Sequence, residues 1–336
     1  MLPSSQTLSA NDLNSSIGEY FSPYLTQLPV QIEVSTQTVA LQQANQELSS
    51  TTELILFTDC SMQQLVELAT TMQAQITGIV QHTDRMGKQS LRFSVECTNL
   101  DACKTQVNDF ALQNNTEAAL IKDAPSLSTP GLLVMDMDST TIEIECIDEI
   151  AKLAGVGEQV SAVTERAMQG ELDFAESLRE RVGTLKDAPE SILSSVGENL
   201  PLMPGLETLV KTLHQNNWKI AVASGGFTYF TQILKEQLNL DATQANVLEI
   251  IDGKLTGKVI GDITDAQVKA DTLLRLADEF FTPQGQMVAM GDGANDLAML
   301  AVADLGVAYK AKPVVLQQAQ SSINFSGLDC LLHWLK

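Results

Sequence analysis

The chain has 336 residues, 44% of them hydrophobic and 18% charged, which is enough length and apolar content for more than one packed domain. Its 42 acidic residues against 20 basic ones give a formal charge of −22. That field repels nucleic acid and anionic membrane surfaces, so an anionic substrate must meet a local cation or a metal.

No run of about 18 apolar residues marks a membrane span, and the N-terminus lacks a basic stretch followed by an apolar one. The five cysteines, Cys60, Cys97, Cys103, Cys146 and Cys330, are odd in number and scattered. Neither a disulfide framework nor a zinc site is expected, and a cytoplasmic protein is.

In chain order, residues 1–52 read as a polar N-terminal extension with an edge strand near Val30–Val34. Residues 53–122 alternate as β-α-β-β-α-β, with strands at ELILF, QITGIVQHT, SLRFSVECT and EAALI. This is the ferredoxin-like order, and it resembles the ACT-type domains found beside amino-acid enzymes. The resemblance implies serine binding or homodimerisation through this domain. Residues 123–131, with their Pro, Ser and Gly, read as a linker. From 132 to 336 strands and helices alternate as in a doubly wound parallel sheet. Strands are expected at 132–136, 218–224, 286–292 and 303–308, and a hairpin arm at 254–259. The helical stretch at about 145–201 is too long for a crossover and reads as an inserted cap. The fold class is therefore α/β, with a helical cap and an N-terminal α+β domain.

Open α/β sheets bind ligands beyond the carboxyl ends of their strands. The first such end carries Asp136 and Asp138, the second Ser224, Gly225 and Gly226, and the third Asp292 to Asp296. Like charges at a buried strand tip repel, so paired acids there call for a hard cation. Mg²⁺ held through the carboxylates of Asp136 and Asp292 and a loop carbonyl near Asp138 meets that need. Ser224 with the amides after it forms an anion cradle, and Lys269 adds a positive charge. These parts make a phosphoryl site. A carboxylate that attacks phosphorus splits the reaction into two steps, and a second acid must move protons in both. Asp136 suits the nucleophile and Asp138 the acid–base.

In type and order, DMDST, SGG, a lysine and GDGAND resemble the four motifs of the haloacid dehalogenase superfamily. Within it, the segment from Asp136 onward is similar to the phosphoserine phosphatases. Their cap patterns are matched by ECIDEIA and MQGELDFAESLRER. The resemblance implies a Mg²⁺-dependent phosphatase that converts O-phosphoserine to serine through an aspartyl-phosphate, the last step of serine biosynthesis. It further implies that Glu145 binds the substrate amine, that Arg181 binds its carboxylate and that Asn295 lies near the phosphate. Asp296 would support the metal's water shell. Met137 stands where the family often has an aromatic residue. Met168 and Phe174 are assigned to the core of the cap, and His82, His214 and His333 suggest no catalytic base. Two alternatives stay open. One is a phosphatase for another small phosphometabolite, which the cap residues would discriminate. The other is an amino-acid-binding regulator with a relic catalytic domain, which the filled catalytic positions argue against.

Overall fold

The computed structural model describes residues 6–35, 38–43 and 50–336. Two compact units divide the chain: Met1–Leu127 together with Gln320–Lys336, and Ser128–Ala319.

The first unit contains strands β1 (Gln6–Thr7), β2 (Val30–Val34), β3 (Thr38–Gln43), β4 (Thr52–Phe57), β5 (Gln75–Arg85), β6 (Lys88–Glu96) and β7 (Ala118–Lys122). They form one sheet in the order β1-β3-β2-β5-β6-β4-β7. The β-α-β-β-α-β order expected for 53–122 is present, with helices at Met62–Met72 and Leu100–Asn114. Two expectations are corrected. The N-terminal residues are not a separate extension, because β2 pairs with both β3 and β5 and is an interior strand. The last 17 residues, 320–336, group with this first unit and not with Ser128–Ala319.

Alternation explains how the tail is held. Leu91, Phe93 and Val95 of β6 join the core that also holds Leu65, Val107 and Phe110 of the two helices. Ser90 and Arg92 point to the other face, where the tail lies. Arg92 donates to Glu53 Oε2 at 2.8 Å and to the carbonyls of His333 and Trp334 at 3.1 Å each, and Ser90 Oγ lies 2.8 Å from His333 Nδ1. Arg85 also donates to the Leu332 carbonyl. Arg92 and Glu53 are both buried, so losing one partner strands the other charge. Arg92→Ala should destabilise this unit by about 3 kcal/mol in denaturant unfolding. The double variant Arg92→Met/Glu53→Leu should recover most of that loss. If Arg92→Ala unfolds at the wild-type midpoint, the pair does not hold the tail.

The second unit has strands β8 (Leu132–Met135), β9 (Lys219–Phe227), β10 (Ala242–Ile251), β11 (Lys254–Ile260), β12 (Met287–Gly291) and β13 (Leu305–Tyr309). Their order is β11-β10-β9-β8-β12-β13. The pairs from β10 to β13 are parallel, and β11 is antiparallel to β10. β10 was not expected as a strand. Its first half is polar, but Asn246 is buried and bonded to the Gly225 carbonyl and the Thr264 N–H, so burial costs little there.

The cap consists of helices Cys146–Leu153, Gly157–Met168, Phe174–Thr184 and Ser191–Gly197, between β8 and β9. Its two linkers pair with each other: Glu143 N–H donates to Pro201 O at 2.9 Å and Met203 N–H to Thr141 O at 3.0 Å. The cap is tethered a second time at the β10–β11 hairpin, where Asp187 and Glu190 donate to Leu255 O and Gly253 O, and Leu255 donates to Ala188 O. Met168 is 78% exposed and so is not cap core.

Candidate active site

β8 and β12 are neighbours, with Met135 opposite Met290, and the Asp136 N–H donates to Met290 O at 2.9 Å. The next residues on each strand therefore leave the sheet side by side and bring Asp136 and Asp292 together. Oxygens of Asp136, Asp292 and Asp296 all lie within 4.8 Å of one another.

Lys269 explains how the deepest of these acids are tolerated. The Ala266–Glu279 helix is started by Asp265, which accepts from the Val268 N–H, and its inner stripe is Lys269, Ala270, Leu273 and Leu276. Lys269 is fully buried, with its ammonium 2.7 Å from Asp136 Oδ1 and 2.8 Å from Asp296 Oδ1. Burial pulls its pKa down, but the two carboxylates outweigh that and hold it above the usual lysine value. The other Asp296 oxygen accepts from the Gly293 N–H at 2.9 Å. Asp296 is thus committed to protein donors on both of its carboxylate oxygens.

Asp136 Oδ1 also accepts from the Met137 N–H at 2.7 Å. Both protein donors meet this one oxygen, and none among the described residues meets Oδ2. Burial and the neighbouring Asp296 raise the Asp136 pKa well above the carboxylate range.

After Asp136 the chain turns back, with the Thr141 and Ile142 N–H groups donating to Met137 O. This turn aims Asp138 at the start of the Cys146–Leu153 helix, where its Oδ1 accepts from the Cys146 N–H at 3.1 Å. Burial first, then Glu145, pushes the Asp138 pKa up to about 7. The Asp138 carboxylate stands outside the three-acid cluster and is bound at the helix terminus. Asp292 is pushed up to about 6 by burial, then by Asp296 and Glu145.

The SGG motif sits differently from the expectation. β9 runs on to Phe227, and the following helix begins only at Thr228. The Ser224 hydroxyl accepts from the Gly226 N–H at 2.8 Å and lies buried, while Gly225 and Gly226 form the wall. A side chain at either glycine would collide. A Cβ at Gly225 would meet the Phe174 ring at 2.6 Å, and one at Gly226 would meet Met137 at 2.7 Å and Asp138 Oδ2 at 3.0 Å.

One cavity of about 330 Å³ gathers Asp136, Asp138, Glu145, Arg181, Asp292 and Asn295 with the Gly225–Gly226 wall. Ser224 and Lys269 lie behind that lining. Glu145 accepts from Ser139 Oγ at 2.8 Å. Arg181 donates through Nε to Ser177 O at 3.4 Å, and its terminal nitrogens make no hydrogen bond among the described residues. Phe174, assigned to the cap core, also lines the cavity, as do Asp148 and Lys312. Asp148 had a legible signal, one helical turn after Glu145. Lys312 had none, since it lies beyond every motif.

The three clustered carboxylates could hold a metal ion, and the Gly225–Gly226 wall lines the same cavity. The family model of the haloacid dehalogenase-like hydrolases matches residues 131–304. A phosphoserine phosphatase of Vibrio cholerae is 64% identical over 217 residues, covering 64% of this chain and 66% of its own length. A crystal structure of a probable phosphoserine phosphatase from Vibrio cholerae, in unliganded form, aligns with a TM-score of 0.73 at 47% identity. That alignment covers 87% of this chain and 88% of the other. A phosphoserine phosphatase structure with a phospho-aspartyl intermediate analogue aligns with a TM-score of 0.59 at 38% identity, over 62% of this chain and 100% of the other. The chain belongs to the haloacid dehalogenase-like hydrolases and is a phosphatase of their phosphoserine phosphatase branch.

Proposed function

We propose that the chain hydrolyses O-phosphoserine to serine and phosphate in a Mg²⁺-dependent reaction, as the last step of serine biosynthesis in the cytoplasm. The observation that carries this reading is a single cavity lined by the strand-tip acids Asp136 and Asp292 together with Glu145 and Arg181 of the cap. The substrate's ammonium and carboxylate each find an opposite charge there.

Asp136 is the nucleophile. Its Oδ2, which no protein donor engages, forms the bond to phosphorus while the bond from phosphorus to the serine oxygen breaks. Asp138 holds a proton near neutral pH and gives it to the departing alkoxide. Water then attacks the aspartyl-phosphate and passes a proton to Asp138. The bond from phosphorus to Asp136 breaks and phosphate leaves. Lys269 orients the Asp136 carboxyl and works against the upward push of burial on its pKa, and one of its three N–H groups remains for a phosphoryl oxygen. Gly225 and Asn295 line the same cavity, with Ser224 behind the glycine wall. Asp136 and Asp292 would hold the Mg²⁺, which neutralises charge on the phosphoryl oxygens when bound. Asp138 would add a main-chain oxygen, because its carboxylate is committed.

Substrate choice tests the reading. Arg181 offers a carboxylate two parallel hydrogen bonds, and a charge-assisted hydrogen bond contributes about 1.5–3 kcal/mol. Phosphoethanolamine, which lacks the carboxylate, and phospholactate, which lacks the ammonium, should each be roughly 10- to 150-fold poorer in kcat/KM. Arg181→Ala should erase most of the preference over phosphoethanolamine, and Glu145→Gln most of that over phospholactate. Equal kcat/KM for all three compounds would make this a general small-phosphate phosphatase.

For the first unit we assign serine binding or homodimerisation. Its cavity of about 490 Å³ supports the ligand reading, because Asp59, Lys88 and Phe57 line it together. Calorimetric titration with serine and sedimentation at several concentrations distinguish the two.

A further inference from the structure

We infer that Lys312 is a substrate-capturing residue for the phosphate end of the ligand, a role that rests on the phosphatase reading above. The cavity's ionisable lining is unbalanced. Asp136, Asp138, Glu145, Asp148 and Asp292 are acidic, whereas Arg181 and Lys312 are the basic members. Lys269 is fully buried and paired with two carboxylates. Arg181 is on the cap side, with Asp148 and Glu145 the nearest influences on its charge. On the Asp292 and Asn295 side of the cavity, Lys312 is the one lining cation.

Its main chain is fixed to that wall. The Lys312 N–H donates to Asp292 O at 3.3 Å, and its carbonyl accepts from the Val315 and Leu316 N–H groups. The side chain is different: it is exposed, and among the described residues its ammonium makes no hydrogen bond or ion pair. Its one recorded partner is the field of Asp292, whose pKa it lowers. An anchored stem with a free ammonium, next to the phosphoryl floor of a chain with net charge −22, can do two things. It draws a multiply charged anion through a repulsive field, and it contacts a phosphoryl oxygen once the anion arrives.

Inorganic phosphate is the probe, because its binding needs no turnover. It is titrated by calorimetry into the full chain and into Lys312→Gln at saturating Mg²⁺, so that metal affinity does not enter. An exposed ion pair predicts a dissociation constant about fivefold weaker for Lys312→Gln at low salt. The two proteins should converge as salt rises. Lys312→Arg should bind like wild type. In phosphoserine turnover, Lys312→Gln should raise KM by a similar factor with kcat close to wild type, and the salt dependence of kcat/KM should flatten. Equal phosphate affinity in the wild type and Lys312→Gln at every salt concentration overturns the inference. So does a loss confined to kcat, which would place the effect on Asp292. Absence of phosphoserine hydrolysis by the wild type is a separate result. It counts against the phosphatase reading, while the phosphate titration still decides the role of Lys312.

Discussion

Asp136→Asn drops phosphoserine turnover to below about one ten-thousandth of wild type and leaves the fold intact. Removing the nucleophile removes both chemical steps, because the second hydrolyses the bond that the first forms. The amide is close in shape to the carboxylate, and its oxygen can still accept from the Met137 N–H and the Lys269 ammonium, both at 2.7 Å in the wild type. Burial and Asp296 hold the Asp136 carboxyl above its usual pKa, so its charge is unfavourable in the metal-free protein. Asn should therefore melt no lower than wild type in EDTA. Acid quench of the wild type during turnover of labelled phosphoserine should leave label on the peptide containing Asp136, and beryllofluoride should occupy the same position. Ser139 is the instructive competitor, since its hydroxyl already donates to the Glu145 carboxylate at 2.8 Å. Label mapped to Ser139, or an active Asp136→Asn, would refute the assignment.

The parts of this site that were legible in the sequence are those fixed by strand ends. An acid placed directly after a four-residue apolar run has one place to go, and register between β8 and β12 does the rest. That Asp136, Lys269 and Asp292 come together needed only their order along the chain. What could not be read are choices made by packing across long separations. What holds the Asp138 side chain is one such choice: the turn back to Met137 points it at the Cys146 N–H. Phe174 carries the same apolar character in a cap core as on a cavity wall, and only the close approach of Gly225 distinguishes the two. The stretch 320–336 ends in apolar residues that would suit either sheet. Arg92, 241 residues from His333, captures it through main-chain carbonyls, which carry no sequence signal. β10 escaped notice for the opposite reason, as buried polar residues with partners imitate a loop.

Chelation should stop the reaction completely and Mg²⁺ should restore it, with a large effect on melting in wild type and little in Asp292→Asn. Three carboxylates have oxygens within 4.8 Å of one another. Lys269 engages two of them, Asp136 and Asp296. Among the described residues the Asp292 carboxylate receives only the Thr140 hydroxyl, at 3.3 Å. Burial, with Asp296 and Glu145 nearby, pushes its pKa up to about 6, so its charge at neutral pH works against folding until a cation arrives. A cation that binds the folded chain then stabilises it, by about 2.7 kcal/mol at a hundredfold excess over its dissociation constant. Wild type should accordingly gain several degrees in Tm when Mg²⁺ is added to the EDTA-treated protein. Asp292→Asn removes the repulsion together with the ligand charge. It should melt at or above wild type in EDTA, gain little from Mg²⁺, and lack measurable turnover at Mg²⁺ levels that saturate wild type. Melting thus reports on the site without any substrate, and the same titration with Asp138→Asn separates the two acids of the loop. Asp138→Asn should keep most of the Mg²⁺-induced gain in Tm while losing catalysis, because its carboxylate is bound to the helix terminus rather than to the cluster. A full Mg²⁺ response in Asp292→Asn, or its loss in Asp138→Asn, would move the metal from Asp292 to Asp138.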